Sequence, residues 1–288
     1  MYKPILKWVG GKTQIMEHVL NKFPQEINNY HEPFLGGGSV LFNVLQNVRE
    51  GIVNINNVYA CDINEALVYV YKNIQCFHAE LYNEIIKMIT LFNNIIGRTV
   101  NRTPENLIEA QSSRESYYYY IRRLYNQLTD KQTINASAMF IFLNKTCFRG
   151  LYRVGPNGFN VPYGNNKNPE IINKQHLEEI HELVQGVVFT CCDFTESLKF
   201  VKNDDFVYLD PPYVPINNTS FVAYNKGGFD KHVVLFDTLK TANYKYLMSN
   251  SDTDFVKQHF DNYEIIKAKR NINSRNPDSI INELLIFN

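Results

Sequence analysis

Apolar positions recur along this 288-residue chain at more than one period, and the changes of period divide it. Ile15, Val19, Leu20 and Phe23 fall on one face at helical spacing, a run stopped by Pro24. The short apolar run 31–35 closes on Gly36, Gly37 and Gly38, after which Ser39 opens a second helical pattern through Val40, Leu41, Val44, Leu45 and Val48. Residues 58–62 read as a strand ending in an acid, and Asn64 is placed to cap a helix over 65–74. Strand and helix thus alternate over residues 1–74, the pattern of a parallel sheet. From Gln75 to about Leu143 the period is helical, with Leu81, Ile85, Ile86, Ile89 and Phe92 in one stripe and Tyr117, Ile121, Leu124, Tyr125 and Leu128 in another. The tyrosines at 117–120 lie on that second stripe and read as packing rather than as a platform for bases. Residues 144–173 are rich in Gly, Asn and Pro and read as loop. Alternation resumes at Ile180, with strands at 187–191, 205–209 and 244–248, a helix at 231–241, and segments 264–270 and 283–287 that can pair as an antiparallel hairpin. The organisation expected is a sheet-forming domain in two parts, 1–74 and 166–288, with a helical insert at 75–165.

Charge sharpens one region only. Lys plus Arg and Asp plus Glu are 29 each, which excludes a strongly basic coat protein and an acidic disordered tail but leaves room for a local basic face. That face falls in the loop: Lys145, Arg149, Arg153, Lys167 and Lys174 stand against Glu170 alone, interleaved with Phe148, Tyr152, Phe159 and Tyr163. With 44% apolar and 20% charged residues, a chain of this length builds a core without disulfide or metal staples. The five cysteines (61, 76, 147, 191, 192) have no ligand-like spacing and read as reduced thiols, with no metal site. The N-terminus has no apolar leader, and the longest apolar run noted, 138–143, is too short to span a bilayer. A soluble, cytoplasmic protein, neither secreted nor membrane-spanning, is expected.

Three motifs carry chemistry. Trp8-Val9-Gly10-Gly11-Lys12-Thr13 superficially suggests a phosphate-binding loop, but Leu6 stands where that loop needs its first glycine, which argues against nucleotide hydrolysis. A glycine pair ahead of a helix can still bring backbone amides and Lys12 to a carboxylate, or be a plain turn. Glu32–Ser39 (EPFLGGGS) sets glycines between strand and helix, where backbone can approach a ligand; Leu41 replaces the third glycine of a dinucleotide fingerprint. Asp62, 24 residues after Gly38 at the end of the next strand, suits ribose hydroxyls, although a helix-capping Asp reads the same in isolation. Finally, Asp210-Pro211-Pro212-Tyr213 follows the apolar strand Phe206-Val207-Tyr208-Leu209. Two prolines stiffen the turn and remove two N–H donors, so Asp210 and the Pro211 carbonyl can accept both protons of an amino group while Tyr213 stacks on a planar ring.

Taken in order, these segments resemble the Dam-type DNA adenine-N6 methyltransferases, the alpha-ordered group. The resemblance is carried by KWVGGK at 7–12, EPFLGGGS at 32–39, Cys61-Asp62-Ile63-Asn64, LNKTCFRGLYRVGPNGFNVPY at 143–163, Asp210–Tyr213, Ser249-Asn250 and Glu283-Leu284-Leu285. It implies an α/β fold: a Rossmann-like, S-adenosylmethionine-dependent methyltransferase sheet with helices on both faces, plus an inserted helical target-recognition domain carrying a basic loop or hairpin. It implies S-adenosyl-L-methionine as cofactor, held by Trp8, Lys12, Phe34, Gly36, Gly38, Ser39, Asp62, Asp193, Phe194 and Asp210, and Asp210, Pro211, Pro212 and Tyr213 as the catalytic tetrapeptide. The implied partner is double-stranded DNA, met by Lys145, Arg149, Tyr152, Arg153, Asn157, Tyr163, Arg270 and Arg275, with base flipping before transfer. A cognate restriction endonuclease acting on the same site, and a monomer or weak dimer, belong to the same expectation. One departure stands out. Between Arg153 and Phe159 the chain reads VGPNG, where relatives that modify GATC often carry a longer turn with an extra Arg or Lys, so GATC does not transfer as the target. Two alternatives stay open: an RNA adenine or cytosine-N4 methyltransferase, the latter disfavoured by Asp210 where Ser is common, and an inactive DNA-binding relative, disfavoured by intact Trp8, Lys12, Asp62 and Asp210.

Overall fold

The computed structural model describes residues 2–216, 229–269 and 280–288. In chain order, α1 (Met16–Leu20), β1 (Glu26–Glu32), α2 (Ser39–Arg49) and β2 (Asn54–Asp62) are followed by α3 (Glu65–Asn94), α4 (Leu107–Ala110), α5 (Arg114–Gln127) and α6 (Ile134–Thr146). Two-residue strands β3 (Val154–Gly155) and β4 (Gly158–Phe159) and helix α7 (Lys174–Leu183) come next. The chain then runs through β5 (Val187–Cys191), α8 (Phe194–Leu198), β6 (Phe206–Leu209), α9 (His232–Lys240), β7 (Lys245–Ser251), α10 (Asp254–Lys257), β8 (Tyr263–Lys269) and β9 (Ile280–Phe287). It forms two compact units, one of Met1–Tyr2, Gly10–Ile63 and Gly186–Asn288, the other of Lys3–Val9 and Asn64–Gln185. Among the described residues no helix is long and apolar enough to cross a membrane.

The first unit holds a seven-stranded sheet in the order β5-β2-β1-β6-β7-β9-β8. The first five of these are mutually parallel, and β9 lies antiparallel to both β7 and β8. This is the mostly parallel α/β sheet, edged by an antiparallel hairpin, that the alternation of elements predicts. Strand β6 is buried at all four positions, as a central parallel strand with both faces covered must be. Chain order reverses between β1 and β6, which makes the carboxyl ends of those strands a topological switch point, the usual place for a ligand in such sheets.

Strand β1 begins earlier than its apolar run suggests. Its sequence EINNYHE is mostly polar, yet Asn29 and His31 are buried. Asp205 explains this: one of its oxygens accepts from Asn29 (2.7 Å) and Asn28 (3.2 Å), the other meets His31 Nε2 (3.0 Å) and accepts the Lys202 N–H (2.9 Å). Burial works to raise the Asp205 pKa, but these donors outweigh it and the net direction is down. The ionised acid therefore stabilises the fold above the ordinary carboxylate range, and that contribution is lost as pH falls through the depressed value. Asp205→Ala orphans several buried polar groups at once and is expected to cost about 3 kcal/mol in urea unfolding. A change within about 0.5 kcal/mol would show the network to be dispensable.

The second unit is helical. The expected helix over 65–74 and the apolar stripe at 81–92 are one element, α3, kinked at Phe77 (φ −141°, ψ 35°); no Gly or Pro lies between them to end it. Asn64 caps it, accepting the Leu67 N–H. Helix α6 is buried along most of its length, and Tyr117 and Tyr118 are core residues, as the packing reading expects. Within the loop-like stretch, β3 and β4 form a hairpin whose tip is Pro156-Asn157, closed by Gly158 at φ +89°. Pro at the first turn position and a left-handed glycine after the second fit a tight turn with a bulge. Asn126 clamps its base, donating to the Phe159 carbonyl (3.0 Å) and accepting the Phe159 N–H (2.9 Å).

Candidate active site

In the first unit, strand ends and the turns that leave them bring four motif segments together. Glu32 ends β1, and the chain then turns through Gly36 (φ +49°) and Gly38 (φ +71°), left-handed conformations that favour glycine, into α2. The turn is pinned by the Leu35 N–H on the Cys61 carbonyl (2.9 Å) and by the Gly36 N–H on the Asp62 carboxylate (2.9 Å). Asp62 is thus tied to the Gly-rich turn, and the capping role that the sequence left open for it belongs to Asn64 instead.

At the end of β6, Asp210 meets Lys12. The ammonium lies 2.7 Å from Asp210 Oδ2, donates to the Gly10 carbonyl at 2.7 Å, and sits 4.9 Å from the centre of the Tyr213 ring. Lys12 is only 4% exposed. Burial raises the Asp210 pKa, Lys12 pulls it back and Glu283 pushes it up again; the outcome is a carboxyl near 6. The Tyr213 hydroxyl donates to Glu283 Oε2 at 2.9 Å, and burial, then Asp210 and Glu283, hold that phenol well above its ordinary range. Glu32, fully enclosed, accepts from the Tyr30 hydroxyl at 2.6 Å; burial lifts it to about 8. Two acids of different acidity therefore stand at adjacent strand ends, one paired with a buried cation, which is a common signature of a functional site.

The remaining predicted residues fall as follows. Asp193 caps α8, accepting from the Thr195 N–H (3.0 Å) and pairing with Lys231 (2.9 Å); although burial opposes it, these donors lower its pKa. Phe194 is buried and stacks with Phe34 at 5.4 Å. Trp8 belongs to the helical unit, stacked on Tyr152 at 5.4 Å and tilted against Phe140. In that same unit Asn144 grips the backbone of Lys7 from both sides, at 2.8 Å each, and a Cβ at Gly150 would collide with the Lys7 side chain at 2.4 Å. Arg149 is exposed with a left-handed backbone (φ +57°), Asn157 is exposed at the hairpin tip, and Arg153 reaches across the hairpin to Asn160 Oδ1 (2.6 Å). Lys145 is half-buried, and burial, with Lys7 nearby, lowers its pKa. Tyr163 packs beside Tyr118 at 5.5 Å. Arg270 and Arg275 lie outside the described residues.

Glu32, Asn144 and Glu283 lie inside the sequence motifs, yet nothing in the sequence alone gives them a role. For Glu32 a signal existed: an acid as the last residue of a strand, directly ahead of a Gly-rich turn. Glu283 reaches Tyr213 across 70 residues, and no spacing rule could reveal that.

Comparison with known proteins points the same way as this geometry. The chain is 38% identical over 305 aligned positions, covering 99% of both chains, to the type II methyltransferase M.MjaIII of Methanocaldococcus jannaschii. It is 30% identical to the type II methyltransferase M1.LlaDCHI of Lactococcus lactis subsp. cremoris, over 93% of this chain and 87% of the relative. It is 31% identical to a DNA adenine methylase of Haemophilus influenzae, over 96% of this chain and 90% of the relative. Residues 8–273, spanning every motif from the buried lysine to the last parallel strand, match one family model, and by that match this chain belongs to the D12 class N6 adenine-specific DNA methyltransferase family.

Proposed function

We propose that this protein methylates N6 of a flipped adenine at a specific site in double-stranded DNA, with S-adenosyl-L-methionine as donor, in restriction–modification or in marking or protecting a genome. The observation that carries the reading is the acceptor pair at the end of β6, where Asp210 and the Pro211 carbonyl follow a buried strand at the switch point of the sheet. The chain's own residues fit the donor. Gly10 has φ +87°, a left-handed conformation that favours glycine, and a Cβ there would lie in ordinary contact with Lys12 Nζ (3.8 Å) and Asp210 Oδ2 (3.9 Å), so the glycine backbone passes directly against the ion pair. Lys12 would hold a carboxylate, Asp210 an ammonium, Asp62 the ribose hydroxyls, and Trp8, Phe34, Gly36, Gly38, Ser39, Asp193 and Phe194 the remaining parts. When bound, the donor supplies an electrophilic methyl group on a sulfonium.

The amino nitrogen of adenine is a weak nucleophile because its lone pair is delocalised into the ring. Asp210 and the Pro211 carbonyl accept its two N–H bonds, which keeps the pair on nitrogen and stabilises the positive charge that develops there. Pro211 and Pro212 carry no N–H, so neither competes as a donor at this turn. Tyr213 stacks on the extruded base and offsets part of an unstacking cost of roughly a few kcal/mol.

DNA is held by the helical unit. Arg149, Arg153 and Lys167 serve the phosphates, with Lys145 beside them, and the hairpin tip at Pro156-Asn157 with Tyr152 and Tyr163 reads the target, Arg270 and Arg275 adding charge. The tip is held rigid by Asn126 and by the Arg153–Asn160 contact, which suits a reading element. The enzyme acts as a monomer or weak dimer, alongside an endonuclease of the same target where it protects a genome. The test is a methylation assay with labelled donor on duplex DNA, single-stranded DNA and RNA, followed by nucleoside analysis. N6-methyladenine from duplex DNA is expected; label confined to RNA, or N4-methylcytosine as the product, would overturn the reading.

A further inference from the structure

Two consecutive prolines strip the catalytic turn of backbone donors, so residues 211 and 212 cannot be pinned through their own N–H groups. Three side chains from β7 and β9 fasten the two residues that follow. The Tyr213 hydroxyl donates to Glu283 Oε2 at 2.9 Å, the Val214 N–H donates to Asn250 Oδ1 at 3.1 Å, and Ser251 Oγ donates to the Val214 carbonyl at 2.6 Å. Asn250 Oδ1 also accepts the Ser251 N–H at 2.9 Å, which fixes the orientation of its amide. Ser251 and Glu283 are register partners on adjacent antiparallel strands, so all three contacts issue from one ladder.

We infer that Glu283 is a positioning residue for methyl transfer: by accepting the Tyr213 hydroxyl it fixes the ring that stacks on the base. The inference rests on the roles proposed above for Asp210 and Tyr213. A phenol has one proton to donate, and Glu283 takes it, so the ring is tied both through its Cβ and at its far end. Lys12, 4.9 Å from the ring centre, bears on its face. Glu283 also acts on Asp210 directly. Burial and Glu283 on β9 favour the neutral acid and Lys12, 2.7 Å away, favours the ionised form, while Glu32 on β1, Tyr208 on β6 and Tyr213 are raised chiefly by burial and in part by Asp210. A second negative charge keeps the carboxylate basic, and a more basic acceptor draws harder on the N6 hydrogens as positive charge develops.

Two substitutions separate the two actions. Glu283→Gln keeps an oxygen for the Tyr213 hydroxyl but removes the charge. It is expected to lower kcat only a few-fold and to move the acid limb of the pH profile downward, because Asp210 must be ionised to act and loses a neighbour that raised its pKa. Glu283→Ala removes both and is expected to lower kcat about tenfold, with KM for the donor little changed. Tyr213→Phe should also lower kcat, and the double variant should be no worse than Glu283→Ala alone, since both remove the same Tyr213–Glu283 contact. Fluorescence of 2-aminopurine at the target position reads the seating of the flipped base, and it should change alike in Glu283→Ala and Tyr213→Phe. Wild-type kcat in Glu283→Ala, or losses that multiply in the double variant, would overturn the positioning role, and an unmoved acid limb in Glu283→Gln would overturn the action on Asp210. Asp210→Ala, run in parallel, keeps the two failures apart. If it methylates like wild type, the reading of the tetrapeptide falls; if it is inactive while both Glu283 variants behave as wild type, the inference about Glu283 alone falls.

Discussion

Asp210→Ala is expected to lower the single-turnover rate of methyl transfer by about 10²–10³-fold, the usual loss when one preorganised acceptor of developing charge is removed. Two consequences of the same change add to it. In the proposed arrangement the carboxylate is one of the two oxygens offered to the amino group, and the remaining one, a carbonyl, carries no net charge. Its removal also leaves Lys12, 4% exposed, without its partner at 2.7 Å, so the variant should be less stable as well. Asp210→Asn separates the two contributions. It keeps the shape and one acceptor oxygen but presents an N–H where an acceptor is needed, and should retain only a trace of activity. In the wild type the same carboxylate is expected to set the acid limb. Burial holds its pKa near 6, so the ionised, accepting form prevails above that value and is lost as pH falls through it, with rate dropping about tenfold per unit below. A transfer rate in Asp210→Ala within a few-fold of wild type, measured with labelled donor on duplex DNA, would remove Asp210 from the reacting atoms.

The parts of this arrangement that sequence made legible are those whose signal is local. Strand β6 announced itself by four apolar residues in a row and an Asp-Pro-Pro-Tyr stop, and the Gly-rich turn by its place between strand and helix. Asp62 was ambiguous between ligand and cap until the structure tied it to the Gly36 N–H and gave the cap to Asn64. What stayed hidden depends on contacts distant along the chain. Strand β1 shows in the sequence only as the apolar run 31–35, because the acid that satisfies its Asn29 and His31 lies 174 residues past the histidine. Cys61 and Cys192, which immediately precede two of the acids singled out from sequence, place their sulfurs 2.7 Å apart across 131 residues, with burial raising the Cys61 thiol; spacing rules for cysteine could not find that pair. Trp8 illustrates a further limit. Sequence proximity joins it to Lys12, four residues on, but the two residues belong to different compact units, and Trp8 stacks on Tyr152. Periodicity alone divides helix α3 in two, because the chain kinks at Phe77 without ending the helix.

Replacing Lys12 by Met, which keeps much of the side chain's bulk and discards its charge, should shift the whole pH dependence rather than merely lower the rate. In the wild type three influences fix Asp210: burial and Glu283 favour the neutral acid, and Lys12 alone among the named causes favours the carboxylate. Without the ammonium the acid limb moves to higher pH, and methylation at neutral pH falls roughly tenfold for each unit that the limb moves. Activity should therefore recover in part as the assay is made more alkaline, which a variant that had merely misfolded would not do. Affinity for the donor should fall as well, by about tenfold or more, because a buried ammonium is the natural partner of a carboxylate and a neutral thioether is not. Calorimetric titration with the donor reads that loss apart from catalysis. Lys12→Arg is the informative control: it keeps the charge, so its acid limb should stay near the wild-type position, while the larger planar head has to find room beside Gly10 and the Tyr213 ring. If Lys12→Met keeps the wild-type limb, the ion pair does not govern Asp210, and the electrostatic account of the strand-end acceptor has to be abandoned in favour of positioning alone.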